Sequence, residues 1–181
     1  MFRTIALTTC LSFLGACAAP DTYYSLSADG PPAASPPDPS SALVVSPVTL
    51  PAYIDRPELV FQSAPNIFEV PIDHRWTGRL SDNVTRVLAS NLARRLPRTS
   101  VLTSPPPSTS PTTLAVEIHQ FHSVSGGDAT LHATATVTGS PSKTRTYSLT
   151  EPLSGDGYPA LTAAQSNLLA KLAQAIATDL L

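Results

Sequence analysis

TGRLSDNVTRVLASNLARRLP, residues 77–97, carries the strongest helical signal in the chain. Leu80, Val84, Val87, Leu88, Leu92 and Leu96 recur every three or four residues. On a helix of about 3.6 residues per turn they gather into one apolar stripe. Arg94 and Arg95 fall in the last turn, where cations complement the helix dipole, and Pro97 ends the element. The spacing predicts a helix from Thr77 to Leu96. One apolar stripe must be buried against a second layer, and the flanking sequence supplies that layer.

Upstream, residues 22–27 (TYYSLS), 42–48 (ALVVSPV), 59–63 (LVFQS) and 67–72 (IFEVPI) have the aromatic and β-branched content of short strands. Pro65-Asn66 between the last two reads as a turn. Downstream, SVLT at 100–103 is a short strand followed by a Pro/Ser/Thr-rich loop at 104–112. In Thr113–Phe121, Leu114, Val116 and Ile118 alternate with polar neighbours, and the phase slips at Phe121 as at a β-bulge. Ala129–Val137 alternates small or apolar residues with Thr130, His132, Thr134 and Thr136, and Gly126-Gly127-Asp128 marks a hairpin between the two. Thr144–Leu149 is the last strand. A second helix begins near Pro159 with Leu161, Leu168, Leu169, Leu172, Ile176 and Leu180 on one stripe. This order predicts an α+β fold, a single layer of mostly antiparallel sheet packed by two amphipathic helices. GPPAASPPDPSS, residues 30–41, holds five prolines in twelve residues and is expected as a loop within the domain.

The start of the chain has a different logic. Arg3 is the only charge before Asp21, and Thr4–Ala16 is apolar or small. Such a run falls short of the roughly 20 residues that cross a bilayer and fits a secretory signal. Leu14-Gly15-Ala16-Cys17 resembles a bacterial lipobox, in which the cysteine thiol is the nucleophile that forms a thioether to diacylglycerol. Residues 1–16 are therefore expected as signal peptide and 17–181 as the mature domain, with Cys17 lipidated. The competing reading is a plain cysteine inside a cleaved signal. Cys10 leaves with the signal, so the mature chain has no partner for an internal disulfide. Without Arg3 it carries ten basic and thirteen acidic side chains, net −3, and lacks the basic excess of a nucleic-acid-binding protein. Ala18 and Ala19 follow the cysteine where an aspartate tends to hold enterobacterial lipoproteins at the inner membrane, so the periplasmic face of the outer membrane is the expected location.

No nucleophile elbow, P-loop or dinucleotide-binding glycine motif occurs. His119-x-x-His122 has a metal-like spacing, but an i, i+3 pair on a regular strand points to opposite faces, and no cysteine or acidic cluster adds ligands. No catalytic residue, metal site or cofactor is expected. Leu50-Pro51-Ala52-Tyr53-Ile54-Asp55-Arg56-Pro57 and Arg75-Trp76 stand out instead, because Tyr, Trp and Arg are the types enriched at interface hot spots. Two readings stand for the group: a partner-binding surface of Leu50, Pro51, Tyr53, Asp55, Arg56, Pro57, Arg75 and Trp76, or a local packing feature with Trp76 capping the core.

In these stretches the chain resembles the ABC-type transport auxiliary lipoproteins, the PqiC (YmbA-like) group. The resemblance is carried by the lipobox at Cys17, Tyr23-Tyr24-Ser25-Leu26, Leu50–Pro57 followed by Leu59-Val60, Asn66 before a strand, Arg75-Trp76 leading to Leu80, and an Ala/Leu-rich closing helix. The segments at 30–41 and 104–112 are longer than the pattern requires. The resemblance implies a non-enzymatic, lipid-anchored component. Its partners would be an MCE-domain (mammalian-cell-entry) periplasmic protein and its inner-membrane transporter components, which move lipid between membranes. Self-association into a homo-oligomer stays open. A lipopolysaccharide-assembly lipoprotein partnering an outer-membrane β-barrel is the alternative with the same anchor and fold class.

Overall fold

The computed structural model describes residues 20–31, 38–105, 111–139 and 141–180. The signal segment 1–16, Cys17 with its lipobox, and residues 32–37 of the proline-rich stretch lie outside the described residues. The elements run β1 (Thr22–Tyr24), β2 (Asp38–Val45), β3 (Phe61–Ala64), β4 (Ile67–Glu69), β5 (His74–Trp76), α1 (Leu80–Arg95), β6 (Thr99–Leu102), β7 (Thr112–Ser123), β8 (Asp128–Val137), β9 (Lys143–Pro152) and α2 (Gly157–Asp179). This is the α+β class that the sequence predicts.

The main sheet has the order β6-β2-β7-β8-β9. Its two long ladders, β7 with β8 and β8 with β9, are antiparallel, whereas β2 is parallel to both of its neighbours. Two small sheets accompany it, a parallel β1-β5 pair and the antiparallel β3-β4 hairpin. Asn66 turns that hairpin with φ of 64°, a left-handed conformation that asparagine tolerates. Strand β2 begins at Asp38, so residues 38–41, expected as loop, are strand. Pro39 is tolerated there because Asp38 pairs with Thr99 and the register then shifts before Ala42 resumes the ladder.

The alternation in β7 and β8 places Leu114, Val116, Ile118, Phe121, Ala129, Leu131, Ala133, Ala135 and Val137 on one buried face. The register shift between Ile118 and Gln120 is the bulge that returns Phe121 to that face. Both helices cover it: Val84, Val87, Leu88 and Leu92 from α1, and Leu168, Leu169, Leu172 and Ile176 from α2. The small Ala129, Ala133 and Ala135 of β8 let the helices approach closely. The opposite face is polar. Thr136 and Thr144 hydroxyls meet at 3.0 Å and His119 bonds Thr134 at 3.0 Å. No described helix is long and apolar enough to cross a membrane.

Candidate docking surface

Residues 50–57 link the sheet to the helix layer. After β2 the chain continues beside β7, where the Thr49 carbonyl accepts the Ile118 N–H at 2.9 Å. Pro51 starts a tight turn whose carbonyl accepts the N–H groups of Ile54 (3.1 Å) and Asp55 (3.2 Å). The fixed φ angles of Pro51 and Pro57 limit the alternatives open to this segment. Ile54 plugs into the core, and Leu50 and Pro51 are half-buried. On the far side, the Trp76 N–H donates to the Pro57 carbonyl at 2.8 Å and the Leu59 N–H to the His74 carbonyl at 2.9 Å. Strand β5 is thereby held between β1 and residues 57–59, which brings Arg75 and Trp76 beside Arg56 and Pro57.

The side chains divide into three groups. Asp55 turns toward the start of α1, where its Oδ1 accepts the Ser81 N–H at 3.2 Å and its Oδ2 lies 3.6 Å from Arg79. The Arg79 N-cap position supplies no side-chain cap of its own, so Asp55 provides one from outside the helix. Arg56 donates through Nε to Glu58 Oε2 at 2.9 Å, and Arg75 lies 3.6 Å from Glu58 Oε1. The hydrogen bond from Arg56 holds the Glu58 carboxyl below the usual range. Tyr53 points the other way: its ring packs on Phe68 (centroids 5.1 Å apart) and its hydroxyl reaches His122 Nδ1 at 3.4 Å.

Asp55, Arg56, Pro57, Trp76, Thr77, Gly78 and Arg79 line an open cleft of about 490 Å³. Four of the eight singled-out residues, Asp55, Arg56, Pro57 and Trp76, thus line the cleft; Arg75 stands behind Glu58, and Tyr53 lies on the other side of the segment. Leu50, like Pro51, is a supporting residue. Trp76 is 4% exposed yet lines the cleft, so it is a core residue as well as a wall. The arrangement sets the Arg56 and Arg79 side chains beside the apolar Pro57 and Trp76.

Among the described residues no group of three metal-ligating side chains comes together. The β7 bulge does alter the expected placement of the histidine pair. His119, Gln120 and His122 all fall on the polar face, and Gln120 Nε2 meets His122 Nε2 at 3.2 Å. His119 pairs with Glu117 at 3.8 Å, while His122 is buried under Phe68 at 5.1 Å, edge to face.

One feature escaped the sequence reading. Ile67, Phe68, Val70 and Ile72 look like strand residues with a core to fill, yet all four are exposed, Ile72 by 80%. The hairpin is short and borders the core without being covered by a helix. Pro65-Asn66 signals the turn, but nothing local signals which face stays open.

Two solved structures share the architecture. A crystal structure of an uncharacterized protein superposes with TM-score 0.78 at 21% identity, covering 90% of this chain and 100% of that one. A crystal structure of a Xanthomonas campestris protein, placed in family DUF330, superposes with TM-score 0.66 at 20% identity, covering 86% of this chain and 92% of its own. No curated protein matches the chain. The model of the family described as ABC-type transport auxiliary lipoprotein component matches residues 24–177, and this chain belongs to that family.

Proposed function

We propose that this auxiliary lipoprotein is a non-enzymatic docking subunit. It is anchored through Cys17 to the periplasmic face of the outer membrane and receives there the end of a periplasmic MCE-domain protein. The reading adds to the family assignment the partner, the membrane and the surface. The observation that carries it is the arginine-lined cleft, built on Asp55–Pro57 and backed by Trp76. Arg56 is exposed and held by Glu58 in one orientation, so little side-chain freedom is lost when a partner binds. Tyr53 adds a half-exposed ring with a polar tip, a type favoured at hot spots.

The test compares Arg56→Ala and Tyr53→Ala with the parent in capture of the MCE-domain protein. Each truncation is expected to weaken capture by about thirtyfold, the equivalent of about 2 kcal/mol, while the melting temperature stays within a few degrees. Trp76 is unsuited to this test because truncating a buried Trp costs about 3–5 kcal/mol of folding. Unchanged capture by Arg56→Ala removes the cleft from the reading, and unchanged capture by Tyr53→Ala removes the opposite side of the segment. Retention of an outer-membrane β-barrel in place of the MCE-domain protein transfers the function to lipopolysaccharide assembly.

A further inference from the structure

We infer that the apolar rim formed by Tyr23, Val70 and Ile72 seats in the surface of the lipid bilayer that carries the anchor. These residues are 59%, 36% and 80% exposed, and Ile67 and Phe68 continue the apolar surface along the β3-β4 hairpin. Four exposed apolar residues within the six positions 67–72 exceed the scattered single exposures usual on a surface, and such groupings mark interaction sites.

The position of the rim in the chain selects the occupant. Arg75 Nε donates to the Ile72 carbonyl at 3.3 Å and lies 3.8 Å from Asp21 Oδ2. The Tyr23 hydroxyl donates to the same Asp21 oxygen at 3.5 Å. Tyr23 and Arg75 are register partners in the β1-β5 ladder and so project from the same face, opposite to Tyr24 and Trp76. Asp21, Tyr23, Ile72 and Arg75 are therefore one cluster. From Asp21 back to Cys17 is four residues, a reach of at most about 14 Å even when fully extended. A lipid attached at Cys17 holds this cluster beside the bilayer, whatever the orientation of the rest of the domain. This step rests on the Cys17 anchoring included in the proposed function.

The chemistry of the cluster suits a headgroup boundary. Tyrosine is enriched there because its ring is apolar and its tip polar. Arginine lays its stem along apolar surface and keeps its guanidinium among phosphates. Arg75 also offsets the Asp21 carboxylate, which lowers its repulsion from anionic headgroups. The arginine-lined cleft beyond Glu58 would then open next to the membrane surface, where a partner's end must arrive.

Photocrosslinking in the full chain, expressed in a Gram-negative envelope, tests the rim. p-Benzoyl-phenylalanine replaces Ile72, and in a second variant Thr144, an exposed residue on the polar face of β9. Illuminated envelopes are assayed for phospholipid adducts and for protein adducts, and the same samples for incorporated radioactive fatty acid. Phospholipid adducts at position 72 at least fivefold above those at 144, on fatty-acid-labelled protein, support the inference. Protein adducts at 72, or equal lipid adducts at both positions, on labelled protein overturn the rim while leaving the anchor standing. Unlabelled protein overturns the anchor at Cys17 and the rim with it.

Discussion

His122 shows how a single residue can couple the Leu50–Pro57 segment to the sheet. It leaves β7 beneath Phe68, meets the Tyr53 hydroxyl and the Gln120 amide, and feels the charge of His132 on β8. Burial, followed by the charge of His132, pushes its pKa below the ordinary value. The unfolded chain then binds the proton more readily than the folded one. The contribution of His122 to stability is fully present above about pH 6.5 and is lost as pH falls through the lowered folded value. Thermal melts from about pH 8 to about pH 5 should show the parent losing stability, with a shallower loss in His122→Gln. Identical slopes in the two proteins would show that this contact carries no proton linkage. Tyr53 and Phe68 cover the ring, so the same titration should loosen the hairpin.

At the scale of elements, α1 depends on a cap from outside itself. An N-terminal helix end leaves backbone donors without intrahelical partners, and Asp55 satisfies the Ser81 N–H while adding a negative charge at the positive end of the dipole. Asp55→Ala is expected to cost about 1 kcal/mol, or about 2–4 °C in melting temperature for a domain of this size. Asp55→Asn should recover part of the loss, since the amide oxygen still accepts the bond. Differential scanning calorimetry on both variants checks the order parent, Asn, Ala. Asp55 thus ties the Leu50–Pro57 segment to the helix, and the Pro57 carbonyl ties it to β5.

For the whole molecule, residues 22–26, just ahead of the proline-rich stretch, belong to the packed body. Strand β1 pairs with β5, the Thr77 N–H donates to the Tyr24 carbonyl at 2.9 Å, and Leu26 is 2% exposed in the main core. Leu26→Ala should cost about 2–5 kcal/mol in chemical denaturation, as for other buried leucines. A cost below about 0.5 kcal/mol would mean that the segment contributes little to the folded body. The tight coupling of β1 to the core also leaves only a short run of chain between Cys17 and the domain. Metabolic labelling with radioactive fatty acid should mark the parent and Cys10→Ser alike and should be lost in Cys17→Ser. Anchoring by several acyl chains is effectively permanent, whereas a single chain holds only marginally.

Local chemistry alone determined much of this protein. Helical periodicity placed α1 and α2, strict alternation placed β7 and β8 and their buried face, and the phase slip at Phe121 disclosed the bulge, because side-chain period follows directly from backbone geometry. Motif order also pointed to the family. Tertiary structure decided the rest. The parallel pairing of β2 with β6 and β7 joins residues far apart in sequence, and no local pattern encodes such a partner. Asp55 as a helix cap and Trp76 as both core and cleft wall arise only when residues 50–59 meet β5. The same holds for Ile67, Phe68, Val70 and Ile72. Their composition is that of a buried strand, and they stay exposed because neither helix covers the hairpin. Burial is a property of the neighbours that arrive, and those neighbours are chosen by the fold as a whole.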